Sequence, residues 1–134
     1  MADRLFTVAE ANEQLRYVVP ILEEAKRLVG ELRARQGDLE RELEALPNAN
    51  GNSLRHEMSA RVIRDELEVL AARLQEQLQA AERYGCEVKD PETGLIDFRS
   101  LREGRVVYLC WRLGEPDIGY WHELDAGFRG RQPL

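Results

Sequence analysis

At 134 residues the chain has the length of one domain with a modest core, and 33% charged against 43% hydrophobic residues suits long solvated helices with narrow apolar seams. A net charge of −6, with basic and acidic residues interspersed on both sides of Gly85, excludes a basic arm and argues against a nucleic-acid partner. Two cysteines without CxxC spacing exclude a disulfide framework, and Met1-Ala2-Asp3-Arg4 leads into an amphipathic pattern with no apolar run for a signal peptide or membrane span, so the expectation is a cytoplasmic protein.

The first predicted element is a helix over residues 7–46. Thr7 and Glu10 have capping-box spacing. Apolar residues then recur in steps of three and four at Val8, Ala11, Leu15, Val18, Leu22, Ala25, Val29 and Leu32, and after Gln36 at Leu39, Leu43 and Leu46. Such a helix is roughly 58 Å long and needs a packed partner. Pro20 lacks the N–H that would bond to Arg16 and is expected to kink it. Gly30 and Gly37 each cost about 1 kcal/mol relative to alanine; they mark either a close helix approach or plain tolerance.

Pro47 to Ser53 reads as a reversal loop. A second helix over 53–84 carries its own seam at His56, Ala60, Ile63, Leu67, Leu70, Leu74, Gln77, Ala81 and Tyr84. Leu54, Met58, Val62, Val69 and Leu78 widen that face, and Gly85 supplies a left-handed stop. The short loop implies an antiparallel hairpin with apolar surface to spare. A homodimer completing a four-helix bundle would cover it; a monomer with its C-terminal segment along the hairpin is the competing arrangement.

After Gly85 the period falls to two. Strands are expected at Cys86–Lys89, Leu95–Phe98, Val106–Trp111 and Ile118–His122, with turns at Asp90–Gly94 and around Gly114–Asp117. This is a small antiparallel β-meander over 86–122, followed by an irregular tail over 123–134. The fold class is mainly α with an α+β character.

The residues with chemical interest crowd into the last hairpin. A four-residue loop at 114–117 would pair Trp111 with Tyr120, Cys110 with Trp121 and Leu109 with His122. That register puts Leu109, Trp111, Tyr120 and His122 on one face and Tyr108, Cys110 and Trp121 on the other, so both faces look apolar and covered. A one-residue slip would reverse every assignment. His122 reads either as a structural histidine bonded to a carbonyl or carboxylate, or as a metal ligand or general acid/base, with Glu115, Asp97, Glu123 and Asp125 as companions. Cys110 could be a nucleophile only with a base beside it, and this register sets His122 on the opposite face. No HExxH, histidine cluster or Glu-x-x-His occurs, so no cofactor is named; a metal would have to use His122, Glu115 and Glu123.

Three blocks carry a family resemblance: Phe6 to Asn12 with Leu15 and Pro20; Gly85 to Asp90 with Gly94 to Phe98; and Leu109 to Glu115 through Trp121-His122 to Gly127–Arg131. They resemble the bacterial family of domain of unknown function 2203. The resemblance implies small cytoplasmic proteins with a ferritin-like helical arrangement and no assigned activity or cofactor. Iron ligands do not carry over, because the ligand motif is missing here. The functional expectation is a non-enzymatic module for a protein or small-molecule partner, binding through Trp111, Arg112, Tyr120, Trp121 and His122. The alternative is a metal-dependent or acid/base enzyme centred on His122 with Glu115 or Asp97.

Overall fold

A computed structural model describes residues 4–48 and 50–134. Met1–Asp3, on which part of the cytoplasmic expectation rests, and Ala49 of the reversal loop lie outside the described residues. Two long helices, α1 (Val8–Ala45) and α2 (Ser53–Glu82), form a helical hairpin. They are followed by β1 (Glu87–Asp90), β2 (Leu95–Arg102), β3 (Arg105–Arg112), β4 (Tyr120–His122) and β5 (Gln132–Pro133). The five strands lie in sequence order in one sheet, each antiparallel to its neighbour. A helical hairpin with a C-terminal antiparallel sheet is what the two periodicities predict. Among the described residues no helix is long and apolar enough to cross a membrane. The chain divides into two compact units, one holding the stretch up to Lys26 with Gln77 onward, the other Arg27–Glu76.

In the first unit the capping box forms as its spacing predicts. The Thr7 N–H donates to Glu10 Oε1 at 2.9 Å and the Glu10 N–H to Thr7 Oγ1 at 3.1 Å. Such a cap is worth about 1 kcal/mol. It fixes where α1 starts, and α1 then continues through Pro20. Ala11, Leu15, Val18 and Leu22 pack with Phe6 into a core shared with Ile96, Phe98, Val107, Leu109, Trp111 and Trp121 of the sheet. Phe6 and Phe98 meet edge to face at 5.1 Å. The Phe6 N–H donates to the Arg99 carbonyl at 2.7 Å, joining the helix entry to β2.

Three expectations about the sheet are corrected. There are five strands rather than about four, because the tail returns: Tyr120 pairs with Pro133 and Trp121 with Gln132, and the Leu134 N–H reaches the Gly119 carbonyl at 3.0 Å. The last hairpin is shifted by one residue, with Tyr108 opposite His122, Leu109 opposite Trp121 and Cys110 opposite Tyr120. The cause lies in the connection. Ile118 does not extend β4; it is buried in the core, and its N–H donates to Asn12 Oδ1 of α1 at 2.8 Å. Trp111 Nε1 donates to the Pro116 carbonyl at 2.6 Å, folding the connection back on β3. Finally, the two faces are unlike. One carries the core aliphatics and both tryptophans; the other carries Glu87, Asp97, Arg99, Tyr108, Cys110 and His122.

In the second unit α2 buries Ala60, Ile63 and Leu70 at the expected seam positions. Arg35 of α1 bridges to Glu66 of α2 at 2.8 Å, and His56 Nδ1 lies 2.7 Å from Glu42 Oε2, so this histidine is satisfied within the hairpin. Leu54, Met58, Val62 and Val69 form an exposed stripe along α2.

Two glycines separate requirement from tolerance. At Gly85 φ is +98°, and an added Cβ would sit 2.1 Å from the Phe6 ring; at Gly30 nothing lies within 4 Å. Gly85→Ala should therefore lower stability by about 2–4 kcal/mol, from left-handed strain and overpacking. Gly30→Ala should raise it by about 0.5–1 kcal/mol. Urea denaturation of both variants checks this, and equal effects would refute the distinction.

Candidate functional site

The polar face of the sheet is built from two cross-strand rows. Glu87, Asp97, Cys110 and Tyr120 stand opposite one another across β1 to β4; Arg99, Tyr108 and His122 form the adjacent row across β2 to β4. Side chains in such rows are about 5 Å apart, so chemistry that is distant in sequence is set side by side by backbone pairing alone.

Asp97 and His122 are each only 2% exposed, and Cys110 is buried beside them. His122 Nδ1 lies 2.7 Å from the Glu123 carbonyl oxygen and Nε2 lies 3.1 Å from Asp97 Oδ1. A carbonyl can only accept, so Nδ1 carries a hydrogen. A hydrogen bond between Nε2 and Oδ1 then requires one further proton between them. The Cys110 sulfur lies within 4.8 Å of an Asp97 carboxylate oxygen and of a His122 ring nitrogen. Burial pushes that thiol up to about 12, and the neighbouring Asp97 charge adds to the rise, so Cys110 is no free thiolate nucleophile at neutral pH. Cys86, the other free thiol, is buried against the Ala81 carbonyl at 3.3 Å and is likewise pushed up to about 12 by burial.

Beside this trio lies a second network. Glu87 accepts from Arg99 Nε at 2.9 Å, from the Tyr108 hydroxyl at 2.8 Å and from Lys89 Nζ at 3.0 Å. The Lys89 ammonium also lies 4.6 Å from the centre of the Tyr108 ring. A cleft of about 310 Å³ opens over the face, with Lys89, Asp97, Tyr108 and His122 on one side and Leu124 to Phe128 on the other. The tail is latched there by Arg131, whose guanidinium stacks 3.9 Å from the Tyr120 ring centre and 4.6 Å from that of Phe128, and donates to Glu115 at 2.7 Å.

A profile of the family described as "Uncharacterized conserved protein (DUF2203)" matches residues 4–134. The chain belongs to this family. No curated protein and no solved structure matches it. The DUF2203 description names no chemistry, so function has to be read from the side chains.

The expected site residues of this DUF2203 chain are dispersed by the corrected register. Asp97 and His122 come together. Glu115 is engaged elsewhere: one oxygen takes the Arg112 backbone N–H at 2.7 Å and the other takes Arg131. The Glu123 carboxylate pairs with Arg105 at 2.6 Å, and only its carbonyl reaches His122. Trp111 and Trp121 are buried on the opposite, apolar face. Tyr120 is partly exposed under Arg131, and Arg112 lies over Phe128 at 4.9 Å. Asp125 lines the cleft. Sequence reasoning missed Glu87, Lys89, Arg99 and Tyr108 and set Cys110 apart from His122; the signal that finds them is the strand register.

Two carboxylates on this face respond to pH in opposite senses. Burial alone would raise Glu87, but donation from Lys89, Tyr108 and Arg99 outweighs it and holds the group below its ordinary 4.5. Its contribution to stability is present above that value and is lost as pH falls through the lower folded value. Burial raises Asp97 above its ordinary 3.8, only partly offset by His122 and Cys110, so its contribution is present below that value and is lost as pH rises through the folded one. Glu87→Gln should lower the urea midpoint at neutral pH, and its gap to wild type should close as pH falls below 4.5 and through the lower folded value. A gap that stays constant with pH would show that the Glu87 charge contributes nothing.

Proposed function

We propose that this protein is a small-ligand-binding module whose site is the cleft over the polar face of the sheet. The observation that supports it most is the placement of a buried, hydrogen-bonded Asp97–His122 pair in the wall of an open cavity. A buried ionisable pair is weak as a source of stability, since apolar residues of the same volume do as well or better. Its use here is recognition. The cleft volume, about 310 Å³, lies at the small end of ligand pockets. Its walls combine Lys89, Asp97, Tyr108, His122 and Asp125 with Leu95, Leu124, Ala126 and Phe128. That suits a compact polar molecule with one apolar side. A cytoplasmic setting, where thiols stay reduced, suits the free Cys110 behind the wall.

An acid/base enzyme is the second reading, favoured by the 3.1 Å contact between Asp97 and His122. Against it, Nδ1 is held by the Glu123 carbonyl and Nε2 by Asp97, so a substrate would first have to displace the Asp97 contact. Screening a metabolite library by ¹⁵N-resolved amide shifts tests the module. Hits should perturb residues around 95–97, 108 and 122–128, and Ala126→Trp, which plugs the cleft, should abolish them while leaving helicity unchanged. Hits that map elsewhere or survive the plug would overturn the site. Turnover of a hit that Asp97→Asn stops would favour the enzyme.

For a macromolecular partner we propose a second copy of the chain, giving a four-helix, ferritin-like arrangement. What supports it is the exposed stripe of Leu54, Met58, Val62 and Val69, apolar residues at helical spacing on α2. Sedimentation equilibrium at tens of micromolar should give a dimer that Val62→Glu converts to a folded monomer. A monomeric wild type would refute this.

A further inference from the structure

We propose that Asp97, Cys110 and His122 form a zinc site with one coordination position open to the cleft. One ligand atom from each residue, a carboxylate oxygen, the thiol sulfur and a ring nitrogen, lies within 4.8 Å of the others, and Nε2 and Oδ1 are 3.1 Å apart. Tetrahedral zinc with bonds of about 2.0–2.3 Å requires its ligand atoms to be roughly 3.3–3.7 Å apart. The Asp97–His122 edge is thus nearly at the required separation. The sulfur lies no more than 4.8 Å from either atom, so at most about 1 Å has to close, within the reach of a side-chain adjustment.

The surroundings of the histidine point the same way. Metal-bound histidines characteristically donate their other N–H to a carbonyl or carboxylate, which fixes the tautomer. Here Nδ1 is held by the Glu123 carbonyl, so Nε2 is the nitrogen that can meet a metal. The three residues stand on three neighbouring strands, with Asp97 directly opposite Cys110, so the ligand backbone is set by sheet pairing rather than by a loop. A mixed O, N and S donor set is suited to zinc; calcium and magnesium take oxygen ligands.

Charge balance closes as well. Before binding, the trio holds the thiol proton and the proton shared between Nε2 and Oδ1, and is neutral overall. Binding of Zn²⁺ forms Zn–S, Zn–N and Zn–O bonds and releases both protons to solvent. The thiolate and carboxylate charges then neutralise the ion, and the buried site is again neutral. Three protein ligands leave a fourth position, the pattern of open rather than structural zinc sites. Asp97 and His122 line the cleft, so that position would take water or a donor atom of a bound molecule. This proposal rests on the three side chains and holds whether or not the cleft binds a small molecule.

Cobalt(II) titration of the tag-free, full-length protein is the test, with zinc competition as a second readout. One equivalent of Co²⁺ should give the visible d–d bands of tetrahedral cobalt and a near-ultraviolet thiolate-to-metal band, both removed by stoichiometric Zn²⁺. Cys86→Ser should keep the thiolate band and Cys110→Ser should lose it. Zinc affinity should rise by about a hundredfold per pH unit while two protons are displaced. Wild-type protein that takes up no Co²⁺ or Zn²⁺, takes up Co²⁺ without a thiolate band, or keeps that band in Cys110→Ser would overturn the proposal. Should Cys110→Ser fail to fold, the wild-type spectrum and the proton count decide alone.

Discussion

The structure depends on one sheet having one dry face and one polar face. Residues of a strand alternate between faces, so the choice that buries Ile96, Phe98, Leu109 and Trp121 against the helical core also commits Asp97, Arg99, Cys110 and His122 to the other side. The hydrophobic effect therefore selects the register, and the polar cluster follows without any attraction of its own being needed. The Asp97–His122 hydrogen bond and the Glu87 network then satisfy groups that the core has already placed there.

Much of the architecture is legible in the residues. The Thr7–Glu10 cap rests on interactions within three positions, and the seam of α2 through Ala60, Ile63, Leu70 and Ala81 and the positive-φ stop at Gly85 show in the sequence as a helical repeat and the glycine that ends it. The site is less legible, for a physical reason. Pairing of the last hairpin turns on whether Ile118 belongs to the strand or to the core. The group that decides it is the amide of Asn12, 106 residues away. No local rule contains that contact. A loop built from Gly114 to Asp117 alone gives the neighbouring register, puts His122 beside Leu109 and Trp111, and sends Cys110 to the wrong side. The tail was equally hidden, because its strand is only two residues long and is held by the Arg131 stack on Tyr120 and Phe128.

The site is chemically quiet as it stands. Both nitrogens of His122 are occupied, and burial keeps the Cys110 proton in place. The second network differs: Glu87 is surrounded by donors on three sides and only partly buried, which makes it a firm support for Tyr108 in the cleft wall.

The tie between Asn12 and Ile118 has a kinetic consequence. Closing a loop of about a hundred residues is entropically costly, and contacts of that span form late in folding. Until α1 is docked, β3 and β4 lack the contact that distinguishes their two neighbouring pairings. A nascent chain would pass through both, and commitment to the native one would be recorded by the protection of the Ile118 amide from hydrogen exchange.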